Sequence, residues 1–255
     1  PGKADLKAPY WKNTEDLSEQ NYLPYIKECS DNSDGLGWLR SDAFKSKAKL
    51  VYEYETFCNQ SAYLYPAMAA FYRSVGAQIA TQWTYGLTSY AEYLGGSHVF
   101  NINTTPRKAA SFMVAKQQFK DVATTYSYES RSSAVLHNGC LIYSGWPESE
   151  EWSHAVLGSD STAVQSIIGV GNSPFVRYSG SGLYFIQPCE NGALRLTVMP
   201  DVEFIRPHWK ELHTGEMVAK LDDASSHRFD LMLPDFEGAS WIYRRDKWRW
   251  QLVEK

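Results

Sequence analysis

The chain has 255 residues, 44% of them hydrophobic, with 25 basic and 29 acidic side chains and a formal net charge of -4. That length buries one large core or two modest ones. The near balance of charge argues against nucleic acid or an anionic membrane surface as partner, since both select concentrated positive charge.

Composition narrows the ligand further. With 9 Trp, 17 Tyr and 11 Phe the chain is rich in flat apolar faces carrying a polar tip, which suits β-rich packing and equally suits stacking on an uncharged ring. Cys29, Cys58, Cys140 and Cys189 form no CxxC pair and no His/Cys cluster at metal spacing, so neither a metal site nor a cofactor is expected. In an oxidising compartment Cys29 with Cys58 and Cys140 with Cys189 are the natural pairs; free thiols are the alternative. No apolar run is long enough to span a bilayer, and residues 1–46 hold no basic-then-apolar leader, so no membrane span is expected.

Residues 1–46 are polar and rich in Asn, Asp, Ser and Gly, the composition of loop with short helical turns. Lys49 to Glu55 is short, β-branched and aromatic before it turns acidic, which predicts a buried parallel strand. Pro66, Met68, Phe71, Tyr72 and Val75 followed by Gly76 predict a helix with Pro in its first turn and Gly at its end. A second strand is expected over Gln78 to Thr84, then a Gly-rich loop, then a helix from Thr105-Pro106 to about Phe119, with Thr105 as N-cap. This is the βαβα rhythm of a parallel sheet.

From about residue 122 the pattern changes to short strands with turn signals between them. Asn138-Gly139 and Asn191-Gly192 are hairpin dipeptides flanked by apolar runs. Further strands are expected at Ile167 to Val170, Phe175 to Tyr178, Phe229 to Leu233, Trp241 to Arg244 and Trp248 to Val253, a spacing that predicts an antiparallel sandwich. The domain division is therefore 1–120 and 121–255.

Strand alternation places Val51, Glu53 and Glu55 on one face, and the next strand ends in Gln82-Trp83-Thr84-Tyr85, beside them. Buried unpaired carboxylates are costly, so an acid here is a functional candidate. A carboxylate next to an aromatic platform suits a sugar whose anomeric carbon is attacked while its flat face is held. Serine chemistry finds no Gly-x-Ser-x-Gly elbow, and Gly180-Ser181-Gly182 reads as a turn between strands. The histidines, His98, His137, His154, His208, His213 and His227, are scattered.

The segment Leu50 to Phe119, with Tyr52-Glu53-Tyr54, Tyr65-Pro66-Ala67-Met68-Ala69, Ala80-Thr81-Gln82-Trp83 and Thr105-Pro106-Arg107-Lys108-Ala109, resembles the seventh and eighth βα units of retaining (β/α)8-barrel glycoside hydrolases, secreted enzymes of polysaccharide-degrading bacteria. The run Gly169 to Pro174 through Leu196 to Asp201 resembles the β-sandwich appended to those barrels. The resemblance implies the C-terminal portion of a (β/α)8 barrel followed by an antiparallel β-sandwich, a polysaccharide or oligosaccharide substrate, and a secreted, periplasmic or cell-surface location. It also implies that Glu53 is the nucleophile, with Glu55 as competitor, and that Trp83 is the platform. Tyr85, Glu92, Tyr93 and His98 then lie in the loop after the last strand, within reach of substrate hydroxyls. The family's second carboxyl, a Glu often preceded by Asn, has no counterpart before Glu53. Six upstream βα units need about 180 residues, so the missing N-terminal barrel half is expected in cis or as a separate chain, and this chain alone is expected to be inactive. The alternative is a noncatalytic carbohydrate-binding protein using Trp209, Trp241, Trp248 and Trp250.

Overall fold

The computed structural model describes residues 16–18, 20–31, 36–56, 60–95, 100–120, 133–144, 155–157, 164–173, 175–190, 194–207, 215–222 and 227–232. His98, Cys58, the Asn191-Gly192 turn, Trp209 and the strands expected at Trp241 to Arg244 and Trp248 to Val253 lie outside these residues.

Helix α1 (Leu23–Asp31), a 3-10 turn at Gly37–Arg40 and the single turn α2 (Asp42–Lys45) precede strand β1 (Leu50–Tyr54). Helix α3 (Leu64–Ser74) then returns the chain to β2 (Ile79–Gln82), which pairs with β1 in parallel. The expected strand-helix-strand unit is therefore present. Helix α3 buries Leu64, Tyr65, Pro66, Ala67, Met68, Ala69, Phe71 and Tyr72, so little of its circumference is left for water, the pattern of an interior helix. Its end follows the glycine signal: Gly76 has φ +87, the Gly76 amide donates to the Arg73 carbonyl, and the Ala77 amide donates to Tyr72 at 3.0 Å. This bonding satisfies the last carbonyls through a left-handed residue after the helix. At the other end the buried Tyr63 hydroxyl donates to the Gln20 carbonyl at 2.5 Å and accepts the Tyr22 amide at 3.1 Å, docking the segment before α1 onto α3.

Helix α4 (Pro106–Lys120) starts where Pro106 places it and packs along α3. Thr105 occupies the expected cap position, its carbonyl accepting the Ala109 amide at 3.0 Å. Its hydroxyl turns back instead, accepting the Asn101 amide at 2.8 Å and donating to the Asn101 carbonyl at 2.9 Å.

Beyond α4 every described element is a β-strand. A six-stranded sheet has the order β5 (Ala155–Leu157), β3 (Ser133–His137), β4 (Cys140–Ser144), β6 (Ser166–Val170), β8 (Leu183–Pro188), β9 (Leu194–Val198). Its faces separate by alternation. Val135, Ile142, Ile168, Leu183 and Phe185 point toward α4 and the first-half core. Ala134, Leu136, Leu141, Ile167, Tyr184, Ile186, Leu196 and Val198 point the other way, onto β7 (Val176–Tyr178) and β12 (Phe229–Leu231), which pair antiparallel. A last antiparallel pair joins β10 (Asp201–Phe204) to β11 (Ala219–Asp222).

Two expectations change. The large sheet is mixed, not antiparallel: β5 runs parallel to β3, and β6 runs parallel to β4. Each parallel pairing follows a crossover longer than a hairpin turn, which period-two alternation does not reveal. Cys140 and Cys189 are free thiols. Cys140 opens β4 and Cys189 follows β8, with β6 between them; two strand spacings, about 10 Å, exceed the Cα separation that a disulfide spans. Among the described residues β1 and β2 form a sheet of two strands and no closed barrel is present.

Candidate functional site

Pairing between β1 and β2 holds an irregularity beside Glu53. Val51 is opposite Ala80 and Tyr54 is opposite Gln82, so three steps along β1 match two along β2. Val51 and Ala80 pack against the first-half core, Tyr54 is buried against Tyr65 and Tyr72 of α3, and the Gln82 side-chain amide donates to the Tyr65 hydroxyl at 3.2 Å. All four side chains therefore point toward α3. On the opposite, open side Tyr52 is exposed, while Glu53 is half-buried like Val51. The extra residue is a bulge-like irregularity, the kind of feature by which strands re-aim a side chain. Strict alternation would group Tyr54 with Tyr52; the extra residue lets Tyr54 face α3. Thr81 braces the bulge, its hydroxyl donating to the Tyr52 carbonyl.

The open side carries a row of exposed groups. Leu50 and Tyr52 of β1 stand beside Ile79 and Thr81 of β2, and Tyr52 is 78% exposed. Trp83, two residues after Thr81 and 47% exposed, continues the row; its amide donates to the Tyr54 carbonyl at 2.9 Å, over the C-terminal end of β1. Its peptide bond to Thr84 is cis. Glu53 is half-buried. Glu55, also half-buried, lies close enough to Tyr65 for its charge to raise that phenol's pKa; burial is the larger cause of the rise and the Gln82 hydrogen bond opposes it. Tyr54 is likewise held well above the ordinary phenol range, first by burial and then by Tyr65 and Tyr72.

The loop after β2 divides the other expected residues. Tyr85 is exposed, shares a hydrogen bond with the Thr88 hydroxyl at 3.0 Å and rests edge-on against Phe100 with ring centroids 5.6 Å apart. Tyr93 is exposed at the end of a 3-10 helix, Thr88–Tyr93. Glu92, in contrast, is engaged with the second half: its carboxylate accepts the Leu221 amide at 3.2 Å and its carbonyl accepts the Val218 amide at 2.7 Å. It braces the loop against β11.

Sequence reading missed Asn101. This fully buried side chain donates to the Gly86 carbonyl at 2.7 Å and accepts the Asn103 and Thr104 amides at 2.8 and 3.3 Å. It joins the aromatic loop to the start of α4. Its only advance signal is a small polar residue four positions ahead of a helix cap. Tyr52, Leu87 and Tyr90 also add to the exposed surface.

No protein-family model, no curated protein and no solved structure matches the chain. None of the described helices is long and apolar enough to cross a membrane, and among the described residues no group of three or more His, Cys, Asp or Glu side chains is placed to hold a metal ion.

Proposed function

We propose that this chain is part of a secreted, retaining glycoside hydrolase acting on a polysaccharide, in which Glu53 is the nucleophile and Trp83 the platform for the sugar ring. The reading rests on one observation above the others: half-buried Glu53 lies near the end of β1 beside exposed Tyr52, and exposed Trp83 follows β2 with its amide bonded to the Tyr54 carbonyl over that strand end. Retaining cleavage needs a carboxylate that attacks the anomeric carbon and a second carboxyl that protonates the leaving oxygen. The second group, and the barrel strands that would flank β1 and β2, come in this reading from the missing N-terminal barrel half, in cis or as a separate chain. Glu55 is the competing nucleophile. Tyr85 and Tyr93 would contact substrate hydroxyls, as would His98.

The test uses the assembly that includes the remaining barrel half. Glu53→Gln there should lower kcat by about a thousandfold or more, while Trp83→Ala should weaken oligosaccharide binding; retention of full activity by Glu53→Gln with its loss in Glu55→Gln would transfer the role. The exposed Trp83, Tyr85, Tyr90 and Tyr93 favour a second reading, noncatalytic carbohydrate binding. That reading expects retardation in a polysaccharide-containing gel that depends on Trp83 but is unchanged in Glu53→Gln, and no hydrolysis by any assembly.

A further inference from the structure

Distant in sequence, Ser179, Asp201 and His227 meet at the edge of the second-half core. The Asp201 carboxylate is fixed on one oxygen by three donors: the Ser181 amide at 2.9 Å, the Gly182 amide at 3.0 Å and the Tyr178 hydroxyl at 3.2 Å. Its other oxygen is in contact with His227 Nε2. In the neutral ring Nε2 therefore carries the proton that the carboxylate accepts, and Nδ1 keeps its lone pair. That lone pair faces the Ser179 hydroxyl, 3.4 Å away. The Arg228 amide donates to Ser179 Oγ at 3.0 Å, so the hydroxyl's own hydrogen is the one directed at Nδ1. This is the proton order of a nucleophile, a base and an orienting acid.

Close packing makes the order possible. A side chain at Gly180 would fall 2.1 Å from the Tyr178 hydroxyl and 2.8 Å from Asp201, and one at Gly182 would fall 2.1 Å from the Met199 carbonyl. Gly180 and Gly182 thus allow the turn to close on the carboxylate. Ser179 is exposed, whereas Asp201 and His227 are mostly covered. The Gly180 amide, which follows the nucleophile, makes no hydrogen bond among the described residues; the residue after a nucleophilic serine commonly supplies an oxyanion donor.

We propose that Ser179, His227 and Asp201 form an esterase site, separate from the glycosidase reading, that takes small carboxylic esters from solvent. Ser179 Oγ attacks the ester carbonyl carbon as its proton passes to His227 Nδ1. The carbon's bond to the alcohol oxygen breaks, and the alcohol leaves with the proton from Nδ1. Water then attacks the acyl carbon and gives its proton to Nδ1; the bond to Oγ breaks, the proton returns to Oγ, and the carboxylic acid is released.

The full chain, treated with a fluorophosphonate probe and digested for mass spectrometry, should carry the label on Ser179. His227→Ala should slow labelling at least tenfold, Ser179→Ala should abolish it, and Ser46→Ala, an exposed serine in the first half of the chain, should leave it intact. Hydrolysis of p-nitrophenyl acetate should fall in parallel. Absence of label from Ser179 in the unaltered chain, or labelling as fast in a folded His227→Ala variant, would show that the cluster is only a staple between β7, β10 and β12.

Discussion

Gly169 shows how closely single positions are fitted. A Cβ there would lie 2.6 Å from the Tyr184 hydroxyl and 2.8 Å from the ring carbon that bears it, and the ring is fully buried. Gly169→Ala should therefore destabilise by about 1–3 kcal/mol, read as a lowered urea midpoint with an unchanged slope. The same scale shows where sequence reading of the site failed. Glu53 and Trp83 were legible as chemistry, an acid at a strand end beside an indole. The irregular pairing beside them was not, because the extra residue between Val51 and Tyr54 shows only in the register with Ala80 and Gln82. Glu92 was legible as a loop acid, but its partner, the Leu221 amide, lies 129 residues away.

Local signals carried whole elements wherever a backbone constraint dictated the residue. The Asn138-Gly139 hairpin stands as expected, with φ 47 and φ 74 at the two turn positions, the primed geometry that matches strand twist. The Gly139 carbonyl also accepts the Gln165 and Ser166 amides at 2.7 and 3.0 Å, tying the turn to the entry of β6. Gly139→Val should cost about 1–2 kcal/mol for the left-handed conformation alone, measurable by chemical denaturation. Helix α4 was equally legible from its proline. What holds its start was not, since Asn101 acts through the Gly86 carbonyl and two amides. Asn101→Ala leaves these buried groups without their partner and should destabilise by about 2–3 kcal/mol; a variant as stable as the parent would mean that the loop after β2 is held elsewhere. Partner choice among the later strands was illegible for a different reason. Alternation shows that β3, β4 and β6 are strands with two faces, yet it is silent on whether β5 or β6 arrives parallel.

At the scale of the molecule, the division at residue 120 marks a change of pattern without a break in the core. Val170 of β6 and Leu183 of β8 are buried in the same cluster as Tyr54, Tyr65 and Phe71, so the two halves should unfold in one transition. Alkaline pH offers a way to see this. Tyr54 and Tyr65 in the first cluster and Tyr178 and Tyr184 in the second are all held above the ordinary phenol pKa of 10.0, in each case chiefly by burial. Below pH 10 the folded and unfolded chains both keep these protons, and the groups add no pH dependence. Above it the unfolded chain releases them while the folded chain retains them, so stability falls as pH rises, by up to about 1.4 kcal/mol per pH unit for each tyrosine. Urea midpoints at pH 8, 10 and 11 should decline increasingly steeply. Tyr54→Phe and Tyr184→Phe should each flatten that decline by one proton's worth, and the double variant by two, if both clusters belong to a single cooperative unit. Should Tyr54→Phe flatten one resolved transition and Tyr184→Phe another, the halves unfold separately and the shared burial of Val170 and Leu183 does not couple them.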